Sequence, residues 1–374
     1  MTTAIIKLMR ALFILGRRGF SSLAFMASAL LPLLFGCVKQ VPEVTLKALP
    51  VKEDLLPIVE DIKSFGIYQW NKDSTYDAGL LGEITALGTS PSYAMYFVDK
   101  DMGFPKDIVH FNAKRHIRTV LSQELVSYSN KDDYHTLDSI LAGRWDGYFR
   151  QFAREARASH QPIYYRFGYE MNGDWMVWGE QPEKFTKAWK RAWKIFKEEK
   201  ATNVKWVFSA NVVWDEKTVA KDIVPYYPGD KYVDIVGLDG YNFGDSHSRN
   251  HKWKSFTEVF EVSLNGLKKH FPTKPLWITE IGCAEGIGKS DWIQDFFGHF
   301  NADPAIRVFV WFNEDKQYAG EPNWRFDSDK DSAAKFRNWA ISNNSITYFS
   351  LPGLEDAALP ESSENHVTES QPLL

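Results

Sequence analysis

Among the 48 acidic residues of this 374-residue chain, Glu170 and Glu280 are set apart by their surroundings. Glu170 lies in RFGYEMNGDWMVWG (Arg166 to Gly179) and Glu280 in LWITEIG (Leu276 to Gly282). Each ends an apolar run of strand-forming residues, where the chain turns into a loop. Two carboxyls at strand ends suit one class of reaction in particular. Cleaving a glycosidic bond needs one protonated carboxyl to give its proton to the leaving oxygen. It also needs one ionised carboxylate to attack or stabilise the anomeric carbon.

The elements that must position them form a repeating pattern. Short β-rich runs occur at Phe65 to Gln69, Tyr93 to Asp99, His116 to Glu124, Pro162 to Glu170, Val204 to Asn211, Val233 to Asn242, Pro275 to Gly282 and Ile306 to Glu314. Helical stretches are expected at Leu137 to Ala158, Glu183 to Lys200, Phe256 to His270, Asp291 to Phe300 and Ser332 to Ile341, with a short or irregular helix after Asp99. Alternating strands and helices with nearly continuous apolar strands predict a parallel α/β fold. Eight repeats, with no Gly-rich phosphate turn after the first strand, predict a single closed (β/α)8 TIM barrel over residues 58–345. In such a barrel the strand C-termini share one cleft, so Glu170 (fourth strand) and Glu280 (seventh) face each other across its mouth. Strand alternation puts Arg166, Gly168 and Glu170 on one face, and Gly237, Asp239 and Tyr241 on another. If Tyr241 points into the cleft, Asp239 lies one layer below it and can pair with Arg166. A buried Arg166 would favour an ionised carboxylate nearby.

These segments together resemble glycoside hydrolase family 26, of the clan of retaining (β/α)8 glycosidases. The resemblance rests on Arg166 with Glu170-Met171-Asn172-Gly173-Asp174-Trp175, on Gly237-Leu238-Asp239-Gly240-Tyr241-Asn242, and on Ile278-Thr279-Glu280-Ile281-Gly282. It implies a retaining double displacement with Glu170 as acid/base and Glu280 as nucleophile. It further implies that Tyr241 hydrogen-bonds the nucleophile, that Trp175 packs near the sugar, and that Trp311, at the end of the eighth strand, is the platform beneath it. The family's mannanases carry histidine just before the acid/base, where this chain has Tyr169. In related families that position contacts the sugar 2-hydroxyl, so β-1,4-mannan and a β-1,3/1,4-glucan or β-1,3-xylan both stay open as substrates. A non-catalytic polysaccharide-binding lipoprotein is the competing class; the retained carboxyl pair argues against it.

Other residues carry weaker signals. Glu124, Glu285 and Glu314 also lie near strand ends and rival either catalytic role. Trp178 lines the cleft or packs under its loop. Tyr68, Trp70, Asn211 and Trp214 are further subsite candidates, with core packing favoured for Tyr68. No HExxH, Walker or GxGxxG pattern is present, so no metal or cofactor is expected, and His247 and His251 read as solvated loop. A net charge of −4 gives no basic patch for nucleic acid. The chain has 14 Trp, 16 Tyr and 26 Phe, either a sugar-binding signature or an aromatic core.

At the N-terminus, Lys7, Arg10, Arg17 and Arg18 precede an apolar run from Phe20 to Gly36, the pattern of an export signal. Leu34-Phe35-Gly36-Cys37 resembles a bacterial lipobox with Phe in an atypical position. Residues 1–36 are therefore expected to be a lipoprotein signal, Cys37 the lipidated residue and 37–57 a tether; a retained single-span anchor is the alternative. The expected product is a monomer held to the cell envelope by its lipid. The tail, 346–374, is rich in Ser, Glu and Pro and reads as disordered. With Cys37 lipidated, Cys283 is left as a free thiol, expected to be buried packing.

Overall fold

A computed structural model describes residues 63–68, 76–129, 136–245 and 252–343. The expected signal, Cys37, the tether and the tail lie outside the described residues, as do Gln69, Trp70, His247 and His251. Eight strands, β1 (Ser64–Tyr68), β2 (Tyr93–Val98), β3 (Arg118–Gln123), β4 (Ile163–Phe167), β5 (Val204–Asn211), β6 (Ile235–Asn242), β7 (Leu276–Cys283) and β8 (Ile306–Phe312), close into a parallel barrel in sequence order. β8 pairs back onto β1, with Ile67 opposite Trp311. The (β/α)8 expectation therefore holds for the described residues.

The helices are α1 (Tyr76–Leu87), α2 (Lys106–Ala113), α3 (Thr136–Leu141), α4 (Asp146–Ala158), α5 (Pro182–Glu198), α6 (Phe256–His270), α7 (Lys289–Ala302) and α8 (Lys330–Asn343). The single helix expected over Leu137 to Ala158 is two, α3 and α4, broken where Gly143 takes φ 83, a conformation glycine adopts without a Cβ clash. α1 was not expected from sequence, since its two glycines and scattered polar residues hide the helical period. α6 starts with a capping box: Ser255 accepts from the Glu258 backbone while the Glu258 side chain accepts from Ser255, satisfying two orphan donors.

Because side chains alternate along a strand, the barrel feeds two apolar layers. Tyr93, Val120, Tyr164, Val207, Ile235, Trp277, Val308 and Val310 fill the inside. Phe149, Phe152, Trp189, Phe196, Phe296, Phe309 and Phe336 pack between strands and helices. Burying each such large side chain stabilises the fold by about 1.5–3 kcal/mol, and much of the aromatic content is spent there. A break in this alternation within β7 bears on the site. In the β6–β7 ladder Leu238 pairs with Ile278, but Asp239 pairs with Glu280. Thr279 is the extra residue of a bulge, which re-aims the side chains after it.

Candidate active site

The bulge delivers the first functional side chain. Strict alternation from Trp277 through an inward Thr279 would turn Glu280 toward the helices. With the bulge, Thr279 reaches inward to Ser209 (2.6 Å between hydroxyls), and Glu280 also points in. Both Glu280 oxygens are then held. Arg166 Nη1 donates to Oε1 at 2.7 Å, and the Tyr241 hydroxyl donates to Oε2 at 2.5 Å. Burial, and next the negative charge of Glu280, hold the Tyr241 phenol well above its ordinary pKa. Tyr241 is therefore a donor and favours the ionised form of its partner.

Arg166 is fully buried and joins the strands beneath the mouth. Its Nη2 donates to Asp239 at 2.6 Å and to Ser209 at 3.1 Å; its Nη1 also donates to Ser122 at 2.8 Å and meets the Met95 sulfur at 3.0 Å. A guanidinium can serve two carboxylates at once because its donors form a rigid fork. The expected Arg166–Asp239 pair is therefore present. Gly237 makes room for it, since a Cβ there would lie 2.5 Å from the Thr279 hydroxyl and 3.2 Å from that of Ser209.

The second carboxyl is positioned by backbone. β4 ends at Phe167, and Gly168 (φ 56) and Glu170 (φ 50) both sit in the left-handed region. For a glutamate that costs about 1–3 kcal/mol. The turn is pinned by the Glu170 N–H on Ser209 O at 2.9 Å and the Gly173 N–H on Glu170 O at 3.0 Å. Trp175 Nε1 donates to Glu170 Oε2 at 2.6 Å, and Asn211 Nδ2 to Oε1 at 2.7 Å. Burial, and next the charge of Glu280, nevertheless push the Glu170 carboxyl up to about 7. One carboxyl, raised toward neutrality, thus stands beside a second whose two oxygens each accept a hydrogen bond, an arrangement suited to acid-assisted displacement.

The remaining expected residues fall on both sides of the wall. Trp175 is 48% exposed, so its ring faces the cleft while its N–H holds Glu170. Tyr169 is buried over Arg166, 4.9 Å from ring centre to guanidinium carbon, and its hydroxyl donates to Glu124. Trp178 is not a cleft residue: it is buried, donates to Tyr169 O at 2.8 Å and packs edge-on to the Tyr169 ring. Arg166 lies under Glu280 with no exposed surface, so it is placed to position that carboxylate and not to touch a substrate. Trp311 is not the platform. It points out of the barrel into α7 and α8, against Trp292, Phe296 and Phe336, with its N–H on Trp324 O at 3.0 Å. Its neighbour Phe312 faces in and stacks on Tyr68 at 4.6 Å. The parity of Val308, Val310 and Phe312 would have signalled this.

Of the rival carboxylates, Glu285 accepts from Gln317 and Asn323 at the surface, and Glu314 accepts from Tyr318 at 2.7 Å. Trp214 is exposed, with the Lys254 ammonium 3.3 Å from its ring centre. Sequence reasoning missed Trp324, which is buried against the Tyr241 ring at 4.8 Å. It comes from a loop, where no period marks it. Cys283 is buried, as expected, and burial pushes its thiol up to about 12. Among the described residues no group of three or more His, Cys, Asp or Glu is arranged to hold a metal.

Comparisons with known proteins fit this arrangement. The family model for glycosyl hydrolase family 26 matches residues 111–291, a span that includes both glutamates. The chain is 31% identical over 294 residues to "Endoglucanase H" of Acetivibrio thermocellus, covering 73% of this chain and 31% of that one. It is 27% identical over 259 residues to "Mannan endo-1,4-beta-mannosidase A and B" of Caldalkalibacillus mannanilyticus, covering 64% and 43%. It thus spans less than half the length of these relatives. The solved catalytic domain of a family 26 endo-β-1,4-mannanase from Bacillus sp. JAMB-750 superposes with a TM-score of 0.57 at 17% identity, covering 78% of this chain and 89% of that one, a likeness of fold. By its family model, its sequence relatives and its barrel, the chain belongs to glycosyl hydrolase family 26.

Proposed function

We propose that the chain is a retaining endo-β-glycosidase of β-linked polysaccharide, with Glu170 as acid/base and Glu280 as nucleophile. The observation that carries this reading is the contrast between the two carboxyls. Glu280 accepts from Arg166 and Tyr241, one donor on each oxygen, so it is oriented toward the cleft and held in place. Glu170 keeps a proton up to about pH 7. In the first step Glu280 attacks the anomeric carbon while Glu170 protonates the departing glycosidic oxygen, and a glycosyl ester forms on Glu280. The negative charge that raised the Glu170 pKa is then gone. Glu170, now ionised, takes a proton from water as the water's oxygen attacks the anomeric carbon, and Glu280 leaves as carboxylate.

For substrate we favour β-1,4-mannan or galactomannan, the polymer in the name of the Caldalkalibacillus relative. A β-1,3/1,4-glucan is the second reading, favoured by Tyr169 in place of histidine before the acid/base and by the endoglucanase name of the other relative. The test is reducing-end release by residues 38–374 on galactomannan, glucomannan, mixed-linkage glucan and β-1,3-xylan, with Glu280→Ala as control. Release from galactomannan that the variant abolishes supports the first reading, and release from glucan alone supports the second. No release from any of them overturns the glycosidase reading. We also propose, from sequence alone, that the full chain is exported and lipid-anchored through Cys37. Incorporation of labelled palmitate that Cys37→Ser fails to abolish would sink that idea.

A further inference from the structure

The mechanism above leaves a third carboxylate of the barrel mouth without a task. Glu124 follows β3, and its N–H continues the ladder onto Val98 O at 2.8 Å. Ser122 below it faces inward to Arg166, whereas Gln123 faces outward, where the Tyr148 and Tyr165 hydroxyls donate to it at 2.6 and 3.0 Å. Alternation therefore aims Glu124 into the mouth, one layer above Ser122. It is 8% exposed, beside 7% for Glu170 and 4% for Glu280, so it opens to solvent about as narrowly as the pair itself. Tyr169 Oη donates to its Oε1 at 3.3 Å, and Tyr128 Oη to its Oε2 at 3.4 Å. One phenol thus stands on either side of the carboxylate, at distances long for O–H···O contacts.

We propose that Glu124 is a substrate-binding carboxylate, accepting hydrogen bonds from hydroxyls of the sugar chain, with Tyr169 and Tyr128 as its positioning residues. An ionised carboxylate is acceptor-only and can take two neighbouring hydroxyls at once, the donors that a pyranose presents around its edge. Tyr169 joins this carboxylate to the catalytic group, since it precedes Glu170 and its ring covers Arg166. This inference rests on the glycosidase reading.

The experiment uses the Glu280→Ala variant as a non-cleaving parent and measures calorimetric affinity for β-1,4-mannohexaose and for a mixed-linkage glucan hexasaccharide. Adding Glu124→Gln, which keeps shape but removes charge, should weaken binding about tenfold or more, as for a hydrogen bond to a charged group. The penalty should shrink on the monodeoxy oligosaccharides that lack a hydroxyl concerned and stay whole on the others, a result that a purely structural role does not produce. Tyr169→Phe should weaken binding less than Glu124→Gln does. Unchanged affinity in the Glu124→Gln variant, or a penalty equal on every deoxy analogue, overturns the assignment. If the parent binds neither oligosaccharide and the wild type cleaves neither polymer, the glycosidase reading fails and this inference with it.

Discussion

Trp175 touches Glu170, the proposed acid/base, through a single hydrogen bond, and that makes it a lever on the proton. The Trp175 and Asn211 hydrogen bonds both favour ionised Glu170 and act against the burial that raises its pKa. Replacing Trp175 by Phe keeps an aromatic face for the sugar but deletes the donor, so the Glu170 pKa must rise. A hydrogen bond to a charged group is worth about 1.5–3 kcal/mol, or about 1–2 units at 1.36 kcal/mol per unit. Because the ring is half exposed, water replaces part of the loss, and a rise of about one unit remains. The assay is kcat/KM against pH, which reports ionisations of the free enzyme. The wild-type alkaline limb should fall near 7 and that of Trp175→Phe near about 8, since activity is lost as the acid loses its proton. A dinitrophenyl glycoside, whose leaving group needs no proton, should show little alkaline limb in either protein. A limb that stays put or moves down in Trp175→Phe would refute the claim that this hydrogen bond sets the Glu170 proton.

Three other outcomes follow from the geometry. Tyr241→Phe removes one of the two donors on Glu280 and should lower kcat by about 10–100-fold with a smaller change in KM, read by steady-state kinetics. Glu170 has a folded pKa of about 7 against 4.5 unfolded. The fold therefore gains stability as pH falls through that window, and ionised Glu170 costs stability above it. Glu170→Gln should accordingly raise Tm at pH 8 more than at pH 5, and an equal shift at both would count against the raised pKa. Trp311→Phe should lower stability by roughly 2–3 kcal/mol in denaturant unfolding and leave KM unchanged, whereas a sugar platform would behave in the opposite way.

The barrel was legible because its signals are additive. Eight apolar runs separated by amphipathic helices can close in few ways, and all eight strands lie where the runs predict. The Arg166–Asp239 pair was legible too, because β4 and β6 keep strict alternation up to those residues. Three features were not. The inward position of Glu280 is expected from its strand end, but the bulge that produces it depends on pairing with β6 and leaves no mark in a single strand. The hold of Trp175 and Asn211 on Glu170 depends on the left-handed backbone at Gly168 and Glu170, which strand periodicity does not foresee. Trp311 reads as a platform from residue type and strand position, whereas the alternation marked by the adjacent inward Phe312 turns it toward the helices. Glu124 was noticed as an acid near a strand end, but only its neighbours Tyr128 and Tyr169 give it a direction.

The extra residue in β7 also bears on how such a barrel can be recombined. A (β/α)8 fold invites exchange of one strand–loop–helix unit for another, on the premise that the repeats are interchangeable parts. Here the seventh unit is out of step with the sixth by one position, so a transplanted strand with ordinary pairing would display the threonine and bury the glutamate among the helices. The sixth and seventh units must therefore travel together. A deletion within β7 that restored regular pairing would turn Glu280 out of the mouth without changing the residue itself.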